Sequence, residues 1–141
     1  MKIISHRGNL NGKSLYENHP EYIQETLAQN FDVEIDVWWV DNEFWLGHDN
    51  PQYPIEENYL ENPKFWCHAK NIESLYKMLD NNKIHCFFHQ EDDVTLTSKG
   101  YIWAYPGKQS IENSIAVLPE IYKDNVDKCI GICSDYIKKY K

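Results

Sequence analysis

Only two stretches of this 141-residue chain can form helices of ordinary length, while short strand-like runs recur from end to end. That ratio restricts the fold more than any other feature. Residues 20–29 (PEYIQETLAQ) open on a proline suited to a first helical position and set Tyr22, Ile23, Thr26 and Leu27 on one face. Asn71 is placed to cap a second helix over 72–80. Strands are expected at 2–5, 32–40, 43–47, 64–70, 84–89, 101–105, 114–118 and 128–134. The turn Asp41-Asn42 makes a hairpin of the second and third runs. The first half thus reads β-α-β-α, and the second half joins strands by loops or single turns. Such alternation belongs to a parallel sheet or barrel. A full eightfold barrel takes about 250 residues. The expected architecture is therefore α/β, a shortened, helix-poor (β/α) TIM-type barrel forming a single domain over 1–141. Strand faces without helices would be left exposed, which makes a homodimer covering them an expectation.

Composition narrows the partners. Hydrophobic residues make up 42% and aromatics 14%, enough for a packed core. The net charge of −8 argues against duplex nucleic acid and anionic membrane faces. No signal-peptide pattern and no transmembrane run occurs. The four cysteines, Cys67, Cys86, Cys129 and Cys133, have no framework spacing, so reduced thiols and a cytoplasmic location are expected. Cys129 and Cys133 read as buried small hydrophobes rather than half a zinc site.

Polar residues interrupt the strands at telling places. Glu34 and Asp36 are two apart on a strand, so both carboxylates share one face, with Val33, Ile35 and Val37 on the other. Adjacent acids are costly to bury unless a cation lies between them. His68 and Lys70 repeat the spacing, pairing a metal-ligating imidazole with a phosphate-binding ammonium. His85 and His89 flank Phe87 on one face and read as core or rim residues. His6-Arg7-Gly8 and Gly47-His48-Asp49 end strands, where parallel α/β folds place their sites. Glu17-Asn18 is either a plain helix start or the partner of Arg7.

The series His6-Arg7-Gly8, Glu17-Asn18, Glu34-Ile35-Asp36 and His48-Asp49 resembles the glycerophosphodiester phosphodiesterase family, a branch of the phospholipase-C-like phosphodiesterases. The likeness covers about the first fifty residues, 64–70 loosely, and 130–136 (IGICSDY) as a closing strand. It implies a (β/α) barrel and hydrolysis of a phosphodiester. His6 and His48 correspond to the catalytic pair, Glu34 and Asp36 to metal ligands, and Arg7 to the phosphate-binding arginine. The family's third ligand is a glutamate in an E-x-K pattern; here the pattern is His68-Ala69-Lys70. One divalent metal is implied, Mg²⁺, Mn²⁺ or Ca²⁺, and an imidazole ligand favours Mn²⁺ or Zn²⁺ over Ca²⁺. The expected activity is metal-dependent hydrolysis of a small glycerophosphodiester-like substrate, with His6 and His48 sharing the acid and base roles in an order left open. Two alternatives stand beside it: an inactive phosphate- or phosphodiester-binding module on the same barrel, and a lyase that stops at a cyclic phosphate.

Overall fold

The computed structural model describes residues 1–141 and is organised around one long strand. β2 (Asp32–Val40) pairs with three others. Its first half lies between β1 (Lys2–His6) and β5 (Phe65–Ala69), both parallel to it. Its second half outruns β1 and folds back through Asp41-Asn42, both at positive φ, into the antiparallel β3 (Glu43–Leu46). β4 (Tyr53–Ile55) extends that hairpin. Beyond β5 lies the parallel β6 (Cys86–Phe88). On the other flank β1 pairs in turn with β10 (Gly131–Ser134), β9 (Ser114–Val117) and β8 (Ile102–Ala104), all parallel. β7 (Val94–Leu96) runs antiparallel to β8.

The sheet curls on itself. Thr95 on β7 donates its hydroxyl to Phe88 O at 2.9 Å, and Ser98 N–H donates to Cys86 O at 2.8 Å. These bonds bring the β7 end of the sheet against β6. The curl creates two apolar layers. Outside, α1 (Pro20–Ala28), α2 (Ile72–Leu79) and the single turn Glu57–Glu61 cover β2, β5 and β6 through Ile23, Leu60 and Met78. Inside, Ile4, Trp66, Phe87, Trp103 and Ile115 meet from different strands. Period two carries four of the inward-facing rows up to a polar residue: Ile4 to His6, Trp66 to His68, Phe87 to His89 and, on β10, Cys133 to Asp135.

Both helices begin where the sequence places them. Asn71 Oδ1 accepts from Ser74 N–H at 3.2 Å, and the same side chain pairs with both backbone groups of Trp39. Pro20 opens α1 behind an N-cap histidine, His19. The expected shortened, helix-poor (β/α) TIM-type barrel, however, does not hold. α-Helices follow only β1 and β5, and no α-helix lies outside β8, β9 or β10, where loops and the single turn Ile137–Tyr140 stand instead. The reason lies in the connections after β6, which carry no apolar stripe at helical spacing and instead form turns and the short β7. The result is a strand-rich curled sheet with two helices on one flank. No helix is long and apolar enough to cross a membrane.

Trp66 is one of two tryptophans in the interior layer, 2% exposed, with ring centroids 5.7 Å from Trp103 and 4.9 Å from Tyr101. Its Nε1 donates to Asp32 at 2.9 Å. Trp66→Ala should destabilise the chain by about 3–5 kcal/mol, read as a shifted urea midpoint.

Candidate metal centre and active site

Every candidate residue from the sequence comes to one end of the curled sheet, the end where the parallel strands finish. Glu34 and Asp36 point inward from β2, 2% and 0% exposed. His68 faces them from β5, aligned opposite Asp36 in the strand register. Its Nδ1 lies 3.6 Å from Glu34 Oε2 and 3.4 Å from Asp36 Oδ1. The other ring nitrogen, Nε2, reaches His89 O at 2.9 Å. A carbonyl can only accept, so Nε2 carries the hydrogen and Nδ1 is the atom turned to the acids.

The loops supply the remaining groups. Arg7 follows β1 at φ 60°, an uncommon conformation outside glycine, held by its N–H to Glu34 O and its carbonyl to Asn18 N–H. Gly8 lets α1 pack close, since a Cβ there would meet the Tyr22 ring at 2.8 Å. The Arg7 guanidinium reaches Glu17 Oε1 at 3.2 Å, Asp36 Oδ2 at 3.1 Å and His48 Nε2 at 3.3 Å. Glu17 is therefore the ion-pair partner of Arg7. Asn18 clamps β2, accepting from Asp36 N–H and donating to Asp36 Oδ2, both at 2.9 Å. His48 stands on the turn after β3, where a Cβ on Gly47 would lie 2.0 Å from Asn50 O, and its Nδ1 is 3.5 Å from Asp36 Oδ2. Lys70 completes the polar side of a cavity of about 300 Å³ that His6, Arg7, Glu34, His48 and His68 also line. A larger groove of about 760 Å³, on the outer side by Trp39 and Tyr59, contains none of these groups.

Sequence reasoning gave no role to Asp135, Asn9 or the His89 carbonyl. Asp135 Oδ1 accepts from His6 Nδ1 at 2.7 Å and from Asn9 Nδ2 at 2.8 Å. Asn9 also donates to Glu17 Oε2 at 2.7 Å, tying the two sides of the cavity together. The signal for Asp135 was its place just past a strand, the same signal that singled out His6 and His48.

Charge is tightly balanced here. Burial alone would raise the Asp36 carboxyl, but the imidazoles of His48 and His68 and the Arg7 charge hold it well below the usual carboxylate range. Burial likewise opposes ionisation of Asp135, yet His6 and Asn9 keep it below its ordinary value. Burial disfavours the His68 imidazolium, and the facing carboxylates of Asp36 and Glu34 outweigh that, lifting it to about 9. All four thiols are buried and free, and burial pushes each of them up, as befits inert core residues.

The donor set suits a divalent cation. One atom each from Glu34, Asp36 and His68 lie within 4.8 Å of one another. Glu34 Oε1 and Asp36 Oδ1 are buried with no hydrogen-bond partner, an arrangement that needs explaining in a native fold and that a cation would explain. Two carboxylate oxygens and one imidazole nitrogen match the preferences of Mn²⁺ and Zn²⁺.

The proton on His68 gives a test with a defined sign. A cation must displace it, so Mn²⁺ affinity should rise about tenfold per pH unit and level off near pH 9. Without metal, the raised group contributes stability that is fully present below about pH 6.5 and lost as pH climbs through 9. That loss should amount to about 3 kcal/mol. Calorimetric titration and thermal melts at several pH values would read both effects; a flat affinity profile would place the proton elsewhere.

No family model, no curated protein and no solved structure matches the chain.

Proposed function

We propose that the chain is a metal-dependent phosphodiesterase acting on a small glycerophosphodiester-like substrate. The observation that carries this reading is the pairing of an orphaned two-carboxylate, one-imidazole cluster with two further histidines and an arginine around one cavity. Glu34, Asp36 and His68 would hold the cation. When bound, it would draw charge from the phosphoryl oxygens.

The protein's own groups have separable tasks. Arg7 and Lys70 would grip the remaining phosphoryl oxygens, Arg7 through its planar fork and Lys70 as a point charge. Asp135 is ionised, so His6 Nδ1 donates to it, and His6 Nε2 is left to accept a proton from the attacking hydroxyl. Asp135 steadies the imidazolium that forms, the part played by the acid of a catalytic triad. His48 Nε2 accepts from Arg7, which can only donate. Once Arg7 turns to phosphate, that nitrogen is free to carry the proton handed to the departing alcohol. His6 is thus the base and His48 the acid. The reduced state of the buried thiols fits a cytoplasmic setting.

One observation favours a second reading. With His68 protonated between Glu34 and Asp36, the cavity contains an internal cation and would bind phosphate without a metal and without turnover. Hydrolysis of bis-p-nitrophenyl phosphate separates the two. The enzyme should release p-nitrophenol with Mn²⁺ and fall to background in EDTA. A protein that binds phosphate equally well in EDTA and cleaves nothing is the binding module. Phosphorus NMR of the product distinguishes a ring-opened monoester from a cyclic phosphate.

A further inference from the structure

The two histidines proposed to move protons are held by different means. His6 is fixed through its ring, because Asp135 takes the Nδ1 hydrogen at 2.7 Å. His48 has no such anchor. Its Nδ1 is buried without a hydrogen-bond partner, and the nearest Asp36 oxygen stands 3.5 Å away, too long for a firm bond. The Arg7 contact on Nε2 is given up once the arginine turns to phosphate. The place of this imidazole is therefore set by the backbone that carries it.

That backbone hangs on β2. Gly47, just before His48, continues the hairpin register opposite Asp36 and gives its N–H to Asp36 O at 3.1 Å. β3 has ended at Leu46, so the carbonyl of the buried Gly47 lies past the last ladder pair and needs a donor. Trp38 supplies it: the indole Nε1–H donates to Gly47 O at 2.7 Å. Trp38 is two residues beyond Asp36 on the same strand face, and its ring spans the diagonal of the hairpin to reach Gly47. The turn that follows is closed so tightly that a Cβ at 47 would strike Asn50 O. With Gly47 pinned at both ends, His48 has little room to move. Trp38 itself lies outside the cavity lining.

We propose that Trp38 is a positioning residue for the reaction: through Gly47 O it holds the His48 imidazole where the departing alcohol needs a proton. The proposal rests on the phosphodiesterase reading and adds a residue that touches neither substrate nor cation. As the P–O bond to the alcohol breaks, its electron pair goes to the alcohol oxygen, which takes the proton from His48 Nε2. The new P–O bond comes from the attacking water, whose proton goes to His6. A displaced His48 slows this exchange only where the departing oxygen needs that proton.

The test is Trp38→Phe, which keeps an aromatic ring and deletes the donor. With Mn²⁺, kcat on glycerophosphocholine should fall about tenfold at unchanged KM. Turnover of bis-p-nitrophenyl phosphate, whose leaving group departs without a proton, should stay within about twofold of wild type. Added to His48→Ala, the substitution should cost nothing further on glycerophosphocholine. Equal losses on both diesters, no loss on either, or an additive loss in the double variant would overturn the proposal and leave the phosphodiesterase standing. A wild type that cleaves neither diester with Mn²⁺ would overturn the enzyme reading, and the role of Trp38 with it. Proton NMR of the wild type gives a check that needs no variant: the Trp38 Nε1–H should exchange with D₂O far more slowly than a free indole. Exchange at the free rate would overturn the proposal even where Trp38→Phe failed to fold.

Discussion

His6→Ala is expected to lower turnover by about 10²–10⁴-fold while leaving the fold and the metal affinity nearly intact. The side chain is only partly buried and stands 4.0 Å from the nearest Glu34 oxygen, so its loss removes a proton carrier without dismantling the metal cluster. Asp135→Asn isolates the second half of the claim. The amide can still accept from His6 Nδ1, yet it can equally turn its NH₂ toward the ring and reverse the tautomer. It also cannot balance the imidazolium. A fall of comparable size, with unchanged far-ultraviolet circular dichroism, is the expected result for both variants. His48→Ala should match His6→Ala in rate but differ in pattern. A substrate with a good leaving group, such as a p-nitrophenyl ester, should recover much of the loss in His48→Ala and little in His6→Ala. Equal rescue of both would reverse or dissolve the assignment of base and acid.

Asp36→Asn should be the most damaging single change, because it strikes cation binding and stability together. The carboxylate is fully buried and shared among Arg7, Asn18, His48 and His68. Replacing it with an amide removes one of the proposed metal ligands and leaves the half-buried guanidinium short of a counter-charge. Loss of one partner from a buried charge pair costs about 3–5 kcal/mol. Mn²⁺ affinity should drop by at least about 10²-fold, with turnover falling alongside. Glu34→Gln offers the control. It deletes a ligand oxygen of the same cluster but leaves the Arg7–Asp36 contact, so it should lose metal with a smaller cost in stability. A variant pair with equal melting temperatures would mean that Arg7 draws its compensation from Glu17 instead.

Much of this arrangement was legible in the chain because it is encoded locally. The two-residue spacing of Glu34 and Asp36 fixed a common face, and β2 spans the 32–40 expected for it. Asn71 announced α2, and Asp41-Asn42 announced the hairpin. His85 and His89 came out as core and rim respectively, the former buried against Thr97 at 2.8 Å. What stayed hidden depends on distant partners. Asp135 meets His6 across 129 positions of sequence, and no local pattern marks such a pair. β4 and β7 are three residues long, too short to show alternation, and exist because a neighbouring edge was available. The expectation of a shortened, helix-poor (β/α) barrel failed for the opposite reason. A β-α-β-α start reads as the opening of a TIM-type barrel, whereas the second half, whose connections have no helical stripe, completes a curled sheet with antiparallel edges at β3, β4 and β7.

The central claim is that one cavity holds a cation on Glu34, Asp36 and His68 while His6 and His48 move protons about a phosphodiester. Phosphorus NMR of glycerophosphocholine incubated with the full chain, in Mn²⁺ and in EDTA, addresses it most directly. The account predicts conversion to a phosphomonoester signal with Mn²⁺, none in EDTA, and none for His6→Ala on the same timescale. An unchanged diester signal in Mn²⁺ at every pH between 6 and 9, from protein shown by calorimetry to have bound the metal, would contradict it.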